Sequence, residues 1–96
     1  MPKAYWIVHL DITDPAAYPA YIAAQGDVFA RHGGRFIVRG GAFDALEGAA
    51  RARHVVIEFP SMEAARACYH SPDYQAALKL RLAASEGEAI IVEGVP

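Results

Sequence analysis

Four short runs of β-branched and aromatic residues, separated by two helical stretches in the order β-α-β-β-α-β, predict an α+β sandwich within 96 residues. No linker, low-complexity tract or internal repeat interrupts the pattern, so residues 1–96 read as a single domain. Two split β-α-β units of this size predict a ferredoxin-like arrangement: a four-stranded, antiparallel-mixed sheet with the helices on one face. In this reading the first and third strands are central and parallel.

The first strand is YWIVHL, Tyr5 to Leu10. Asp14-Pro15 then supplies an N-cap and a proline for the first helical turn. Tyr18, Ile22 and Phe29 recur at helical spacing up to His32, with Tyr21 and Val28 more loosely in step. Pro19 removes a helical N–H, so a loose turn followed by a restart near Pro19 is expected. Gly33-Gly34 closes the helix and RFIVRG forms the second strand. Gly40-Gly41 is read as a bulge or bend, after which AFDALEG continues the strand toward a turn at residues 48–52. HVVIEF, His54 to Phe59, is the third strand. Ser61 caps the next helix and Ser71-Pro72 starts another, on which Tyr74, Leu78 and Leu82 share a face. Gly87 stops it, and AIIVEG is the fourth strand.

Helices on one face leave the other side of the sheet as an apolar patch larger than monomers tolerate. A second copy is the simplest cover, which predicts a two-fold homodimer through the sheet face. A net charge of −2 argues against general nucleic-acid or membrane-surface binding. The single cysteine, Cys68, cannot form an internal disulfide and is read as a core residue. Met-Pro-Lys leads straight into a strand, and no apolar run reaches membrane-spanning length. The expected location is the cytoplasm.

Alternation along strands sorts the polar residues. Val55, Ile57 and Phe59 form a uniformly apolar face, as do Trp6, Val8 and Leu10, and both sets are expected beneath the helices. Aligning Leu10 with Phe59 places His9 beside Glu58 on the opposite face. Arg39 joins them unless Gly40-Gly41 bulges, giving a cluster of His9, Arg39 and Glu58 on the face that a partner covers. Such a cluster could orient a carboxylate or move a proton, or it could fix dimer register as a structural ion pair.

The stretches YWIVHLDITDPAAY, GGRFIVRGG with LEG shortly after, VVIEFPSMEAA, YHSPDYQ, LRLAASEG and the closing IIVEG resemble, in order and spacing, the family catalogued as domain of unknown function thirteen-thirty. The resemblance spans the whole chain and implies a dimeric α/β barrel in which two sheets meet face to face. It implies no activity. Pro19 departs from the family's pattern. Barrels of related architecture include cofactor-free monooxygenases, muconolactone-type isomerases and haem enzymes, several with the active site between sheet and helices. The resemblance therefore raises a second candidate pocket, lined by Trp6, Phe36, Tyr21, Gln25 and Tyr69.

Other chemistry is weighed and set aside. His9 and His54 fall about five residues out of register, some ~17 Å apart, too far to share a metal within one subunit. No dinucleotide fingerprint or phosphate loop is present, and no metal or other cofactor is expected. Ser71 reads as a cap rather than a nucleophile. Arg51, Arg53 and His54, with Arg35, form a small basic patch that could attract an anion or simply be solvated. The leading expectation is a small homodimer that binds, and in the enzymatic case transforms, an organic carboxylate or oxidised aromatic. Arg39 would hold the anion, His9 would move a proton and Glu58 would orient His9. The alternatives are a non-enzymatic assembly or ligand-sensing module, and a cofactor-free oxygenase by analogy of fold.

Overall fold

The computed structural model describes residues 1–96. Strands β1 (Ala4–Ile12), β2 (Arg35–Arg39), β3 (Arg53–Phe59) and β4 (Ser85–Glu93) make one sheet in the order β2-β3-β1-β4. Helices α1 (Tyr18–Gln25), α2 (Val28–Arg31), α3 (Met62–His70) and α4 (Pro72–Ala84) cover one face. The chain is a ferredoxin-like α+β sandwich.

β1 and β3 are central neighbours, but they run antiparallel, with Trp6 opposite Ile57 and Leu10 opposite Arg53. This corrects the parallel pairing expected from the sequence. The parallel pair in a split β-α-β unit is β1 and β2, and β3 inserts between them running the other way. Reversing β3 moves every cross-strand neighbour, and the sequence-derived polar cluster does not survive it.

The face assignments themselves hold, because alternation along a strand is independent of its direction. Trp6, Val8 and Leu10 are buried under the helices together with Val55, Ile57 and Phe59. Trp6 sits at the centre, with the rings of Tyr74 and Phe29 edge-on at 4.8 and 5.2 Å.

The first helix begins at Tyr18, with Pro19 in its first turn, after a turn closed by Tyr18 N–H donating to Asp14 C=O (3.0 Å). It then breaks at Gly26-Asp27 into α1 and the short α2, so Ile22 does not share Phe29's buried face and stands 42% exposed. Ser71 ends α3 and caps α4: its hydroxyl accepts from Tyr74 N–H (3.2 Å) and donates to Cys68 C=O (2.7 Å). Ser61 caps α3 by accepting from Ala64 N–H (3.1 Å).

On α4 the buried face is Tyr74, Ala77, Leu78, Arg81 and Ala84. Leu82, expected inside, is 66% exposed, and an arginine takes the inward position. The helix passes directly into β4, so Gly87 is not its stop. Gly87 lies opposite Leu10 within the strand, where a Cβ would run into the His9 carbonyl.

β2 carries its bulge at Ile37, between Phe36 and Val38, rather than at Gly40-Gly41. Gly40 N–H still donates to His54 C=O (2.9 Å), and the positive φ of +70° at Gly40 then turns the chain out of the sheet. Residues 41–52 form an irregular loop instead of a continued strand.

The uncovered face carries Tyr5, Ile7 and His9 of β1, Val38 of β2, Val56 of β3, and Ile90 and Val92 of β4. Ile90 and Val92 are 55% and 41% exposed, the apolar patch the sequence implied.

Candidate functional site

The bulge at Ile37 decides where Arg39 goes. With one extra residue in β2, Arg39 pairs with Val55 and shares its helix-facing side, not the open face. Its guanidinium lies 4.6 Å from the centre of the Phe36 ring. There it lines a cleft between sheet and helices together with Arg53, which ends β3 on the same face, and Arg81 from α4.

The cleft is graded along the strands. One cross-sheet row is Phe36, Ile57 and Trp6, the next is Arg39, Val55 and Val8, and the third is Arg53 with Leu10. Two residues separate successive rows, or about 7 Å. An aromatic end thus grades into a cationic end over on the order of 13 Å. Phe29 joins the aromatic wall, and Tyr18, Tyr21 and Gln25 of α1 close the helix side.

No carboxylate lines this cleft, although three arginines do. Arg81 is 6% exposed and forms no ion pair. The Nε atoms of Arg53 and Arg81 are buried with no hydrogen-bond partner. Buried polar groups are ordinarily paired, and an unpaired buried cation is costly. The free space inside the cleft is about 30 Å³, room for a water or two. Ile22 and Arg39 are the exposed residues of its lining.

The residues proposed from sequence separate into different places. Trp6, Tyr21, Gln25 and Arg39 meet in this cleft. Gln25 is buried, 9% exposed. Tyr69 lies on the other side of Trp6, in a wider groove with Met62, Arg66, His70 and β4. His9 does not neighbour Glu58: it pairs with His54, their Nδ1 atoms 2.7 Å apart, and Phe43 stands edge-on to His54 at 4.4 Å. The expected ~17 Å separation of the two histidines assumed parallel strands.

Glu58 sits opposite Tyr5 and accepts from Arg35 Nε (3.1 Å) and Lys3 Nζ (3.3 Å). Burial works against its charge, yet those two cations hold its carboxyl below the ordinary value. The basic patch also divides: Arg51 binds Asp11 (2.8 Å) and Glu88 (2.7 Å), leaving Arg53 alone to face the cleft.

Within the cleft wall, the Tyr21 and Tyr74 hydroxyls share a buried 3.0 Å hydrogen bond. Burial pushes the Tyr21 phenol far above its ordinary range and raises that of Tyr74, so neither serves as a base. Burial pushes the Cys68 thiol up to about 12, which leaves it protonated and packed in the core. No group of three or more His, Cys, Asp or Glu converges as a metal site. No helix is long and apolar enough to cross a membrane. The cleft therefore offers cationic donors and aromatic surface, and it contains no side chain placed as a general base.

Sequence reasoning missed Arg81 as a site residue and read Arg53 only as part of the basic patch. The signal for Arg81 was its spacing of seven from Tyr74, which puts it on the inward face of α4.

A family model described as a domain of unknown function, DUF1330, matches residues 3–95. The chain belongs to this family. No curated protein matches it. Among solved structures, a protein of unknown function from Rhodopseudomonas palustris is similar with a TM-score of 0.79 and 24% identity, over 99% of this chain and 84% of that one. A dimeric ferredoxin-like protein of unknown function from a Jannaschia species gives 0.70 and 18%, over 98% and 99%. SnoaB, a cofactor-independent oxygenase from Streptomyces nogalater, gives 0.64 and 16%, over 100% and 96%. At these identities the likeness is one of fold, and it agrees with the ferredoxin-like architecture of this chain.

Proposed function

We propose that this protein is a homodimer that binds a small organic anion in the cleft between its sheet and helices. The observation that carries the reading is three arginines, two with buried and unpartnered Nε atoms, around a cleft that holds no carboxylate. Guanidinium groups present paired donors that match a carboxylate. The aromatic row beyond them suits a flat apolar body, so an aromatic carboxylate or phenolate satisfies both ends. The dimer reading rests on the apolar open face and on the dimeric ferredoxin-like relatives of the same fold.

Binding is favoured over proton-transfer chemistry because no acid or base of suitable kind lines the cleft. The original assignment of proton transfer to His9, oriented by Glu58, loses its support with the reversal of β3. A cofactor-independent oxygenase is a second reading, supported by the fold shared with SnoaB and by an aromatic cleft that an oxidisable ring would fit.

A thermal-shift titration with benzoate tests the main reading. A ligand at a hundred times its Kd adds about 2.7 kcal/mol, or several degrees in a domain of this size. The shift is expected in wild type and reduced in Arg39→Ala and Arg53→Gln. A benzoate shift that both variants retain in full moves the site out of the cleft. Oxygen uptake with a polyphenol or quinol tests the second reading.

A further inference from the structure

Resting on the cleft as an anion site, we infer that its ligand carries two negative charges on one compact, ring-sized body, as a benzene dicarboxylate does.

The argument counts uncompensated charge. Arg39 is exposed, and the Phe36 ring lies beneath its guanidinium, so water and the ring's negative face already satisfy it in part. Arg53 is half-buried and has a ring only at the longer distance of 6.0 Å (Tyr18), while Arg81 is buried and has no ring contact. Each buries an Nε–H with nothing to accept it, and neither has an acidic partner. Of the other five arginines, three have found carboxylates: Arg31 binds Asp27 and Asp73, Arg35 binds Glu58, and Arg51 binds Asp11 and Glu88; Arg39 and Arg66 form no ion pair. A monoanion would compensate one of these two guanidinium groups and leave the other as it is. A dianion compensates both.

The two arginines also come from opposite walls, β3 on the sheet and α4 on the helix layer. A ligand engaging both must present acceptors in two directions, which two carboxylates on adjacent ring carbons do. Inorganic phosphate has the charge but nothing to occupy the row of Trp6 and Phe36. The apolar wall therefore selects an organic dianion over a free one.

Calorimetric titration of the wild-type protein with benzoate, benzene-1,2-dicarboxylate and inorganic phosphate tests this. The dicarboxylate is expected to bind at least ten-fold tighter than either of the others. That advantage is expected to collapse to within two-fold of benzoate in Arg53→Gln and, separately, in Arg81→Gln. Arg53 lies at a strand end, so its variant provides a folded protein if the interior substitution in α4 unfolds the chain. Benzoate binding as tightly as the dicarboxylate overturns the two-charge inference and leaves the cleft reading standing. Phosphate binding as tightly overturns the requirement for a ring. No binding by any of the three overturns the inference and the cleft reading together.

Discussion

Replacing Arg81 with methionine should make the free protein more stable while destroying its affinity for anions. Arg81 is 6% exposed, forms no ion pair, and has a buried Nε without an acceptor. An unsatisfied buried donor costs ~1–3 kcal/mol. Even a buried ion pair, whose charges compensate each other, is often replaced by apolar residues of similar volume at no cost or with a gain of ~1–4 kcal/mol. Methionine follows the same unbranched path and has neither the charge nor the donor, and Arg81 also lines the Ser85–Glu88 groove on its other side. A gain of ~1–2 kcal/mol is therefore expected, at the low end of those ranges. In a domain of this size each kcal/mol raises Tm by ~4–8 °C. The assay is thermal unfolding of Arg81→Met beside wild type, without ligand and then with benzene-1,2-dicarboxylate. The ligand-free variant should melt higher, and the ligand should shift it little. A ligand-free variant that melts several degrees lower would refute the reasoning, because the arginine would then have a stabilising partner.

Gly40→Ala should cost ~1–2 kcal/mol, since Gly40 has a φ of +70°. Its new Cβ would also meet the Arg53 guanidinium, so anion affinity should fall with Tm in a paired titration and melt. Acid should loosen the end of the sheet near Arg51. A hydrogen bond from Ala52 N–H, and then the Arg51 guanidinium, holds the Asp11 carboxyl below its ordinary value, and Arg51 does the same for Glu88. For carboxyls lowered in the folded state, the contribution is present above the unfolded value of ~4 and is lost as pH falls through the folded value. Tm should thus drop below about pH 4, and Arg51→Met should flatten that drop. Ile90→Glu, a charge placed on the open sheet face, should convert the proposed homodimer to a monomer in size-exclusion light scattering; an unchanged dimer would move the interface elsewhere.

Alternation and capping made much of the fold legible in the sequence. Trp6, Val8, Leu10, Val55, Ile57 and Phe59 could be placed under the helices because side chains alternate whatever a strand's direction. Ser61 and Ser71 declared their helix starts by residue type. Strand direction and register were not legible, because both are set by the whole sheet. The antiparallel course of β3 replaced a His9–Glu58 neighbourhood with a His9–His54 pair. One extra residue at Ile37 carried Arg39 through to the other face, since each one-residue slip exchanges the faces of a strand. The glycine pair after Arg39 drew attention to the right segment and the wrong residue for the bulge. Arg81 was hidden by its charge: an arginine reads as solvent-exposed, although its spacing put it on the buried face of α4.

The most direct test of the cleft as an anion site follows the arginine Nε–H resonances by nitrogen–proton correlation spectroscopy while benzene-1,2-dicarboxylate is added. The signals of Arg53 and Arg81, whose Nε–H groups have no acceptor in the free protein, should move together and saturably, while those of Arg35 and Arg51, already bound to carboxylates, stay in place. Movement confined to Arg35, Arg51 or other surface arginines, with Arg53 and Arg81 unchanged at saturation, would contradict the account.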